Sequence, residues 1–247
     1  MIPDINKIFA SRATVRDFDA SRNVSDELLD ELIAAAAHAP NTGNMQLYSV
    51  VVTRGEELKN ELAGLHFNQP AAKNCNVLLT FCADTARFDS WCRASETASG
   101  LNNFGGAVTA IVDTAIFAQQ FAQLAELNGL GTCFLGTATY SAKGFIEKLG
   151  LPEGVFPVLG LAVGYPAKQC EASDRLPVEA IRHNETFGPY NEENIRRWYS
   201  EKENLPESKK FLEINNKKTL AQIYAEIRYP EPLNKALGDD LLGIMNK

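Results

Sequence analysis

One long apolar segment of the sequence predicts a central helix. Residues 105–126 read GGAVTAIVDTAIFAQQFAQLAE, and the Asn128-Gly129 pair that follows is typical of a helix C-terminus. The apolar side chains cover most of the helix circumference instead of a single stripe, which favours burial on nearly every side. The many alanines of the segment would let a second helix approach it closely.

The segments on both sides of this helix predict one α+β domain. Ser25 is a candidate N-cap for a helix that ends before Pro40, and further helices are predicted at 56–66 and 142–149. Strands are predicted at 48–53, 76–82, 132–135 and 157–165. Because these strands do not alternate strictly with helices, the pattern disfavours a doubly wound sheet. We expect a single domain over residues 1–247, with a core of about 1–184 and a polar, charge-rich C-terminal arm over about 185–247.

The composition argues against several classes of protein. With 24 Lys and Arg against 31 Asp and Glu, the formal net charge is −7, which gives no general attraction for nucleic acid or anionic lipid. The N-terminus lacks a signal-peptide pattern, and polar residues interrupt the most apolar stretch before it could span a bilayer. The 5 widely spaced cysteines favour reduced thiols over a disulfide framework. We therefore expect a cytoplasmic protein that binds neither nucleic acid nor membranes.

Standard catalytic motifs are incomplete in this sequence. The dinucleotide-binding fingerprint that starts at Gly129 has Phe134 in place of its last glycine, and the P-loop spacing has Thr137 in place of lysine. The histidines are scattered, so no metal site is predicted, and no Gly-x-Ser-x-Gly elbow is present. A structural role for the cysteines is favoured over a nucleophilic one.

The first polar element that remains begins at Arg12 and reads RATVRDF. Arg12, Thr14 and Arg16 alternate with apolar residues, so their side chains point to one side of an extended chain. Two guanidiniums and a hydroxyl on one face suit a phosphate, which arginine can bind with two parallel hydrogen bonds. The alternative is a solvated edge strand in which Arg16 pairs with Asp17 or Asp19.

The second element is the loop PNTGNMQ at residues 40–46. Amides such as those of Asn41 and Gln46 offer both donors and acceptors, as the pyrimidine edge of a flavin requires. Gly43 would let the backbone approach a planar ring closely. The same residues also favour an ordinary helix-to-strand turn, which is the alternative.

Three further elements complete the set. The segment GLGTCFLGT, which ends with Gly136 and Thr137, could bring a backbone N–H to the flavin N5, or it could be a strand without a ligand. Gln69 is an amide in a turn-rich segment, where a solvated loop residue is the simpler interpretation. Arg175 offers a late cation for a phosphate, and its alternative is a surface ion pair with Asp174 or Glu171.

The order and spacing of these elements resemble a known family. The series is Arg-x-Thr-x-Arg-x-Phe, Ala-Pro-Asn-Thr-Gly-Asn-x-Gln, Phe-Cys-Ala-Asp, Gly-Leu-Gly-Thr-x-Phe-Leu-Gly, Val-Gly-Tyr-Pro and Asp-Arg-Leu-Pro. It resembles the FMN-dependent nitroreductase family, most closely the branch of oxygen-insensitive nitroreductases and flavin reductases. The match covers roughly residues 5–190.

The resemblance implies a fold, an assembly and a set of cofactor contacts. The fold would be nitroreductase-like, with a mainly antiparallel central sheet flanked by helices. The assembly would be an intertwined homodimer with FMN at both interfaces, the long helix in the dimer core and the C-terminal arm on the partner subunit. Carried over by position, the family's phosphate and ribityl contacts would be Arg12, Thr14 and Arg16, and its late phosphate arginine would be Arg175. The ring-binding loop, supplied in part by the neighbouring subunit, would be Asn41, Thr42, Gly43 and Gln46. The amide at the ring edge would be Gln69, and the backbone beside the flavin would be that of Leu135, Gly136 and Thr137.

Two departures affect the detail of this transfer. The close branch usually has a lysine two residues before the late arginine, where this chain has Ser173. The loop at 41–44 also replaces a serine-rich run with Asn-Thr-Gly-Asn. Both changes would alter how strongly or with which hydrogen bonds the flavin is held.

The implied activity is an FMN-dependent NAD(P)H oxidoreductase. NADPH or NADH would reduce the flavin, and a nitroaromatic, quinone or free flavin would then be reduced by two-electron, ping-pong hydride transfer. Since the cofactor supplies the redox chemistry, no protein side chain is assigned as a catalytic residue. Two alternatives stay open: an FMN-binding storage or sensor protein without turnover, and a same-fold flavoenzyme that fragments flavin or removes halogens.

Overall fold

Four strands form one antiparallel sheet in the computed structural model, which describes residues 4–245. They are β1 (Tyr48–Thr53), β2 (Val77–Asp84), β3 (Gly131–Leu135) and β4 (Val155–Gly164). Their order is β1-β2-β4-β3, and every neighbouring pair is antiparallel. The predicted α+β class, the antiparallel sheet and all four predicted strands are therefore confirmed, and β1 and β3 lie at opposite edges.

Helices surround the sheet and continue beyond it in sequence. Ser25 accepts a hydrogen bond from the backbone of Leu28, which confirms it as the N-cap of the second helix. In chain order the helices are α1 (Ile5–Ala10), α2 (Asp26–Ala36), α3 (Glu56–Leu65), α4 (Pro70–Asn74), α5 (Ala86–Ala94), α6 (Phe104–Leu127), α7 (Ala142–Leu149), α8 (Glu192–Asn204), α9 (Pro206–Ile214), α10 (Leu220–Ile223) and α11 (Glu231–Met245).

The two faces of the sheet pack on different helices. All of β2 is buried, and because successive side chains of a strand point to opposite faces, it contributes to two cores. Phe81 faces α6, where its ring centroid lies 5.4 Å from that of Phe117 and 5.8 Å from that of Phe121. Leu78 faces the opposite way and packs in a cluster with Leu62 of α3, Ala72 of α4 and Phe145 of α7.

The long helix α6 is buried on one side only within the single chain. Its core face carries Phe117 and Phe121, whereas Val108, Val112 and Ile116 are exposed. These three residues, which we call the α6 stripe, lie four positions apart and so share one face. The expectation of burial on nearly every side is therefore wrong for one chain alone, and an apolar surface is left that a second molecule could cover.

Residues Ala172–Leu237 form one compact unit. A second compact unit consists of the residues up to Glu171 together with those from Gly238 on. Within the unit Ala172–Leu237, Leu220 and Ile223 are buried, and a capping box formed by Thr219 and Gln222 starts α10. Helix α10 continues as a π-helix over Tyr224–Arg228. The helices α8 and α9 are additions that the sequence analysis did not predict.

Candidate functional site

A cationic group lies beside the start of β3. Arg12 donates from Nη1 to Thr14 Oγ1 and from Nη2 to Thr132 Oγ1, both at 3.3 Å, and its Nε lies 3.1 Å from Glu126 Oε1. The backbone N–H of Val15 donates to the carbonyl of Thr132 at 3.0 Å, which fixes this segment alongside the strand. The predicted Arg12 and Thr14 therefore lie together, and a carboxylate that the sequence analysis missed, Glu126, holds the guanidinium in place.

Arg16 lies exposed near the same strand. Within residues 4–245 it makes no hydrogen bond or ion pair, and the neighbouring Asp17 pairs instead with Lys168 at 3.1 Å. Burial raises the pKa of the Cys133 thiol on β3, and the positive charges of Arg16 and Arg12 oppose that shift. Arg16 is thus a solvent-facing cation close to Arg12 with its hydrogen-bonding capacity available to an anion.

A second polar group lies at the other end of β3. Gln69 Nε2 donates to Thr137 Oγ1 at 3.2 Å, and His66 Nδ1 lies 2.8 Å from the same oxygen. Leu135 is buried, whereas Gly136 is exposed and has open space where a side chain would begin. The structure therefore brings Gln69 and Thr137 together and leaves the backbone at Gly136 accessible.

The turn between His66 and Gln69 is strained. Phe67 and Asn68 both adopt φ 55°, a left-handed conformation that is uncommon for a bulky residue such as phenylalanine. Such conformations cost about 1–3 kcal/mol each and persist only where the surrounding structure enforces them. This turn places both flanking side chains on the Thr137 hydroxyl.

His66 itself is fully buried, and burial lowers the pKa of its imidazole to about 4. The ring is therefore neutral at physiological pH. It packs against Phe145 with the ring centroids 4.9 Å apart. The scattered histidines predicted no metal site, and no local feature of the sequence predicts the contact of His66 with Thr137, 71 residues away.

The loop at residues 40–46 is held by helix α6. The buried Asp113 of α6 accepts hydrogen bonds at one carboxylate oxygen from the backbone N–H of Thr42 at 3.0 Å and from its hydroxyl at 2.9 Å. Gly43 (φ 56°), Asn44 (φ 55°) and Gln46 (φ 55°) are all left-handed, which keeps the loop tightly turned. A buried acid in the middle of an otherwise apolar helix was the sequence signal that could have identified Asp113 as a functional residue.

Other hydrogen bonds of this loop stay close to β1. Asn41 Oδ1 accepts from the backbone N–H of Gln46 at 3.1 Å, and Arg87 donates to the carbonyl oxygens of Gln46 and, at 3.0 Å, Tyr48. Among the described hydrogen bonds, none joins residues 41–46 to the groups at either end of β3. The loop leads into β1, and that strand lies three interstrand spacings, about 14 Å, from β3.

Arg175 belongs to the compact unit Ala172–Leu237. Its Nη1 donates to the backbone carbonyls of Ser173 at 3.2 Å and Asp174 at 2.7 Å. The carboxylate of Asp174 lies 3.6 Å from Lys202 instead, so the ion pair considered as the alternative for Arg175 is not formed. The guanidinium is exposed and retains unused donors.

Two buried cysteines, Cys75 and Cys82, lack the features of a nucleophile. Burial raises the pKa of Cys75 to about 11 and that of Cys82 to about 12, so both thiols stay protonated. All five cysteines are free of disulfides. Across residues 4–245, no group of three His, Cys, Asp or Glu side chains is placed to hold a metal ion, and no helix has the length and apolar character needed to cross a membrane.

Comparisons with known proteins agree on one family. The model of the nitroreductase family matches residues 9–165. The FMN reductase (NADPH) of Bacillus subtilis is 31% identical over 181 residues, which cover 70% of this chain and 73% of the relative.

Solved structures match over nearly the whole length. A Bacteroides fragilis protein classed as an oxidoreductase without a stated substrate has a TM-score of 0.92 and 43% identity, with 95% of each chain covered. The NfrA1 nitroreductase of B. subtilis has a TM-score of 0.83 and 26% identity, with 98% of each chain covered. Because the family match spans well over half of the sequence, this chain belongs to the nitroreductase family.

Proposed function

We propose that this protein is an FMN-dependent NAD(P)H oxidoreductase that reduces nitroaromatics, quinones or flavins by two-electron, ping-pong hydride transfer. The observation that carries the proposal is the arrangement along β3, with cations and hydroxyls at its start and an amide, a hydroxyl and an open backbone at its end. From Thr132 to Leu135 the strand advances about 10 Å, so the two groups are separated along one strand, as the phosphate and the ring of an extended cofactor require. The B. subtilis relative is named FMN reductase (NADPH).

The residues at the start of β3 fit the phosphate. Arg16 has all its guanidinium donors available, and Thr14 adds a hydroxyl group beside Arg12, whereas the hydroxyl of the buried Thr132 already donates to Glu126. Arg12 is already paired with Glu126, so Arg16 carries the larger share of the attraction for a dianion. By the family resemblance, Arg175 is a further phosphate contact, and Ser173 replaces the lysine that the close branch usually has two residues earlier.

The residues at the end of β3 fit the flavin ring. The Gln69 amide and the backbone of Leu135, Gly136 and Thr137 provide donors and acceptors along one edge, and Gly136 adds no side chain that would keep the ring away. When bound, FMN supplies the hydride chemistry between the nicotinamide and the second substrate. The protein's task is to orient the ring and to offer hydrogen bonds to the charge that it gains on reduction.

The site is completed by a second copy of the chain in a homodimer. The strand that follows the loop residues Asn41, Thr42, Gly43 and Gln46 lies at the sheet edge opposite to β3, and the described hydrogen bonds of these residues reach no group along β3. We therefore assign the contact with a ring beside Gly136 to the partner's loop. The exposed α6 stripe supports this assembly, because an apolar helix face needs a cover. The C-terminal arm, about residues 185–247, packs on the partner subunit as an extension of the single domain.

The natural location for this activity is the cytoplasm, where nicotinamide cofactors are available. The five unpaired thiols support a reducing compartment.

Anaerobic reduction tests the proposed function directly. Purified protein is expected to show flavin absorption, to release FMN on denaturation, and to lose its yellow colour when NADPH or NADH is added under argon. Free FMN mixed with the same nicotinamide is the control. Protein that carries FMN but is bleached by neither nicotinamide contradicts the enzymatic proposal, and steady-state NAD(P)H oxidation with an added quinone then separates an enzyme from a storage protein.

A further inference from the structure

The buried contact between His66 and Thr137 has a consequence for the hydroxyl group. Thr137 Oγ1 has Gln69 Nε2 at 3.2 Å and His66 Nδ1 at 2.8 Å. A threonine hydroxyl has one proton to donate and two lone pairs that accept. Gln69 donates to one lone pair, so the direction of the hydroxyl proton depends on whether His66 Nδ1 donates or accepts.

The surroundings of Nε2, the other ring nitrogen of His66, indicate which nitrogen carries the proton. His66 Nε2 is buried and has no hydrogen-bond partner among residues 4–245. It faces the backbone of β4 at Gly160, where a Cβ atom would come within 2.7 Å of it. A buried N–H group without a partner is rarer than an unpaired acceptor, and here it would point at C–H groups. The neutral ring therefore carries its proton on Nδ1 and leaves a lone pair on Nε2.

With Nδ1 protonated, both lone pairs of Thr137 are occupied. His66 donates to one lone pair and Gln69 donates to the other, so the hydroxyl proton can bond only to a different acceptor. Within the described part of the chain, no third group bonds to this oxygen. Thr137 is partly exposed next to the open backbone of Gly136, so the free proton is available to a bound molecule.

We propose that the Thr137 hydroxyl donates a hydrogen bond to the acceptor edge of the bound flavin ring, and that His66 is the positioning residue that turns its proton outward. This inference rests on the function proposed above, since it assigns that hydroxyl a flavin atom as its acceptor. A donor at this edge stabilises the negative charge that the ring gains on reduction, so the contact raises the reduction potential of the flavin.

The tautomer is tested on the flavin-free protein. Two-dimensional ¹H–¹⁵N spectra of protein with labelled histidine distinguish Nδ1–H from Nε2–H, and the signal of His66 is identified by its loss in His66→Phe. We expect the Nδ1–H form between pH 6 and 8. An Nε2–H ring would overturn the inference, because Thr137 would then have to donate its proton to His66.

The role of the hydroxyl is tested by the midpoint potential of the bound flavin. Thr137→Val keeps the shape of the side chain and removes the donor. We expect the variant to prefer the reduced flavin about tenfold less than the wild type does, which lowers the midpoint potential by about 30 mV for two electrons. Thr137→Ser keeps the hydroxyl and is expected to retain the wild-type potential. His66→Phe leaves the hydroxyl in place but no longer fixes its direction, so the potential should fall by less than in Thr137→Val. His66→Asn, which keeps a donor near the Nδ1 position, should restore most of it.

The outcomes separate the inference from the function on which it rests. Wild-type protein that takes up no FMN removes the proposed function and this inference together. Wild-type protein that binds and reduces FMN, with an unchanged potential in Thr137→Val, contradicts the inference alone. An equal loss in Thr137→Ser and Thr137→Val also contradicts it, because the effect would then not come from the hydroxyl.

Discussion

At the scale of single residues, Arg16 and Arg12 are chemically alike but differ in their surroundings. Arg16 is exposed and unpaired among the described residues, whereas Arg12 is paired with Glu126. If Arg16 binds the FMN phosphate, Arg16→Ala removes a charge-assisted hydrogen bond of about 1.5–3 kcal/mol, so FMN should bind roughly tenfold to a hundredfold more weakly. The free energy of unfolding of the flavin-free protein should hardly change.

Fluorescence titration of FMN measures this effect. Arg93→Ala is the matched control, because Arg93 is also an exposed arginine and pairs with Asp89 on α5. Equal FMN affinity of Arg16→Ala and the control would exclude Arg16 from the phosphate site.

His66 makes stability depend on pH. Burial lowers the pKa of the folded imidazole from 6.5 to about 4, so between these values the unfolded chain binds a proton that the folded chain does not. Lowering the pH through this window therefore favours unfolding, and the stability that is fully present above pH 6.5 falls by an amount on the order of 3 kcal/mol by pH 4. Urea denaturation at a series of pH values should show the loss, and His66→Phe should reduce it. The same pH dependence in both proteins would contradict this assignment.

At the scale of secondary-structure elements, the loop at residues 40–46 depends on α6 for its shape. Asp113→Ala removes the acceptor of both hydrogen bonds from Thr42, whereas Asp113→Asn keeps one oxygen in the same place. Because bonds to a charged acceptor contribute about 1.5–3 kcal/mol, the Thr42 amide should exchange its hydrogen at least about tenfold faster in the alanine variant. Hydrogen exchange followed by mass spectrometry measures this, and unchanged exchange in Asp113→Ala would show that the loop is held by other contacts.

Strand β4 needs a glycine where it passes under His66. A Cβ on Gly160 would lie 2.7 Å from His66 Nε2 and 3.2 Å from Leu135 Cβ, and both of those side chains are buried. Gly160→Ala should therefore destabilise the protein by about 1–3 kcal/mol through overpacking. Gly100→Ala is the control, since nothing lies within 4 Å of its added carbon. Equal denaturation midpoints for the two variants would contradict the prediction.

Elements with many apolar residues were predictable from the sequence, and the charge-rich helix α8 was not. The strands of the sheet, α2, α3, α6 and α7 appear where the sequence placed them, within a few residues. Helix α8 is rich in charge and buries no residue, and its short apolar set, Ile195, Trp198 and Tyr199, is surrounded by charged residues. Its start is marked by the cap residue Asn191 and the acids that follow.

At the scale of the whole molecule, the α6 stripe predicts the oligomeric state. Val112 is 50% exposed at the centre of the stripe, where a second copy would exclude water. Val112→Glu should place a charge in that interface and convert a dimer into a monomer, together with loss of bound FMN if the partner's loop completes the site.

Sedimentation equilibrium measures the mass. Val52→Glu, which changes an exposed valine on β1, is the matched control and should stay dimeric. A monomeric wild-type protein, or a dimer that Val112→Glu leaves intact, would contradict the interface at α6.

Local patterns in the sequence specify the secondary-structure elements and the set of chemical groups. Alternation, helical periodicity and caps are local properties, so they predicted the strands, the long helix and the polar segments that could meet a flavin. Only the tertiary structure decided which groups meet. The contact of Asp113 with Thr42 and that of His66 with Thr137 each join residues 71 positions apart, and Glu126 reaches Arg12 across 114. Such contacts depend on how helices pack on the sheet, and no local pattern encodes that packing.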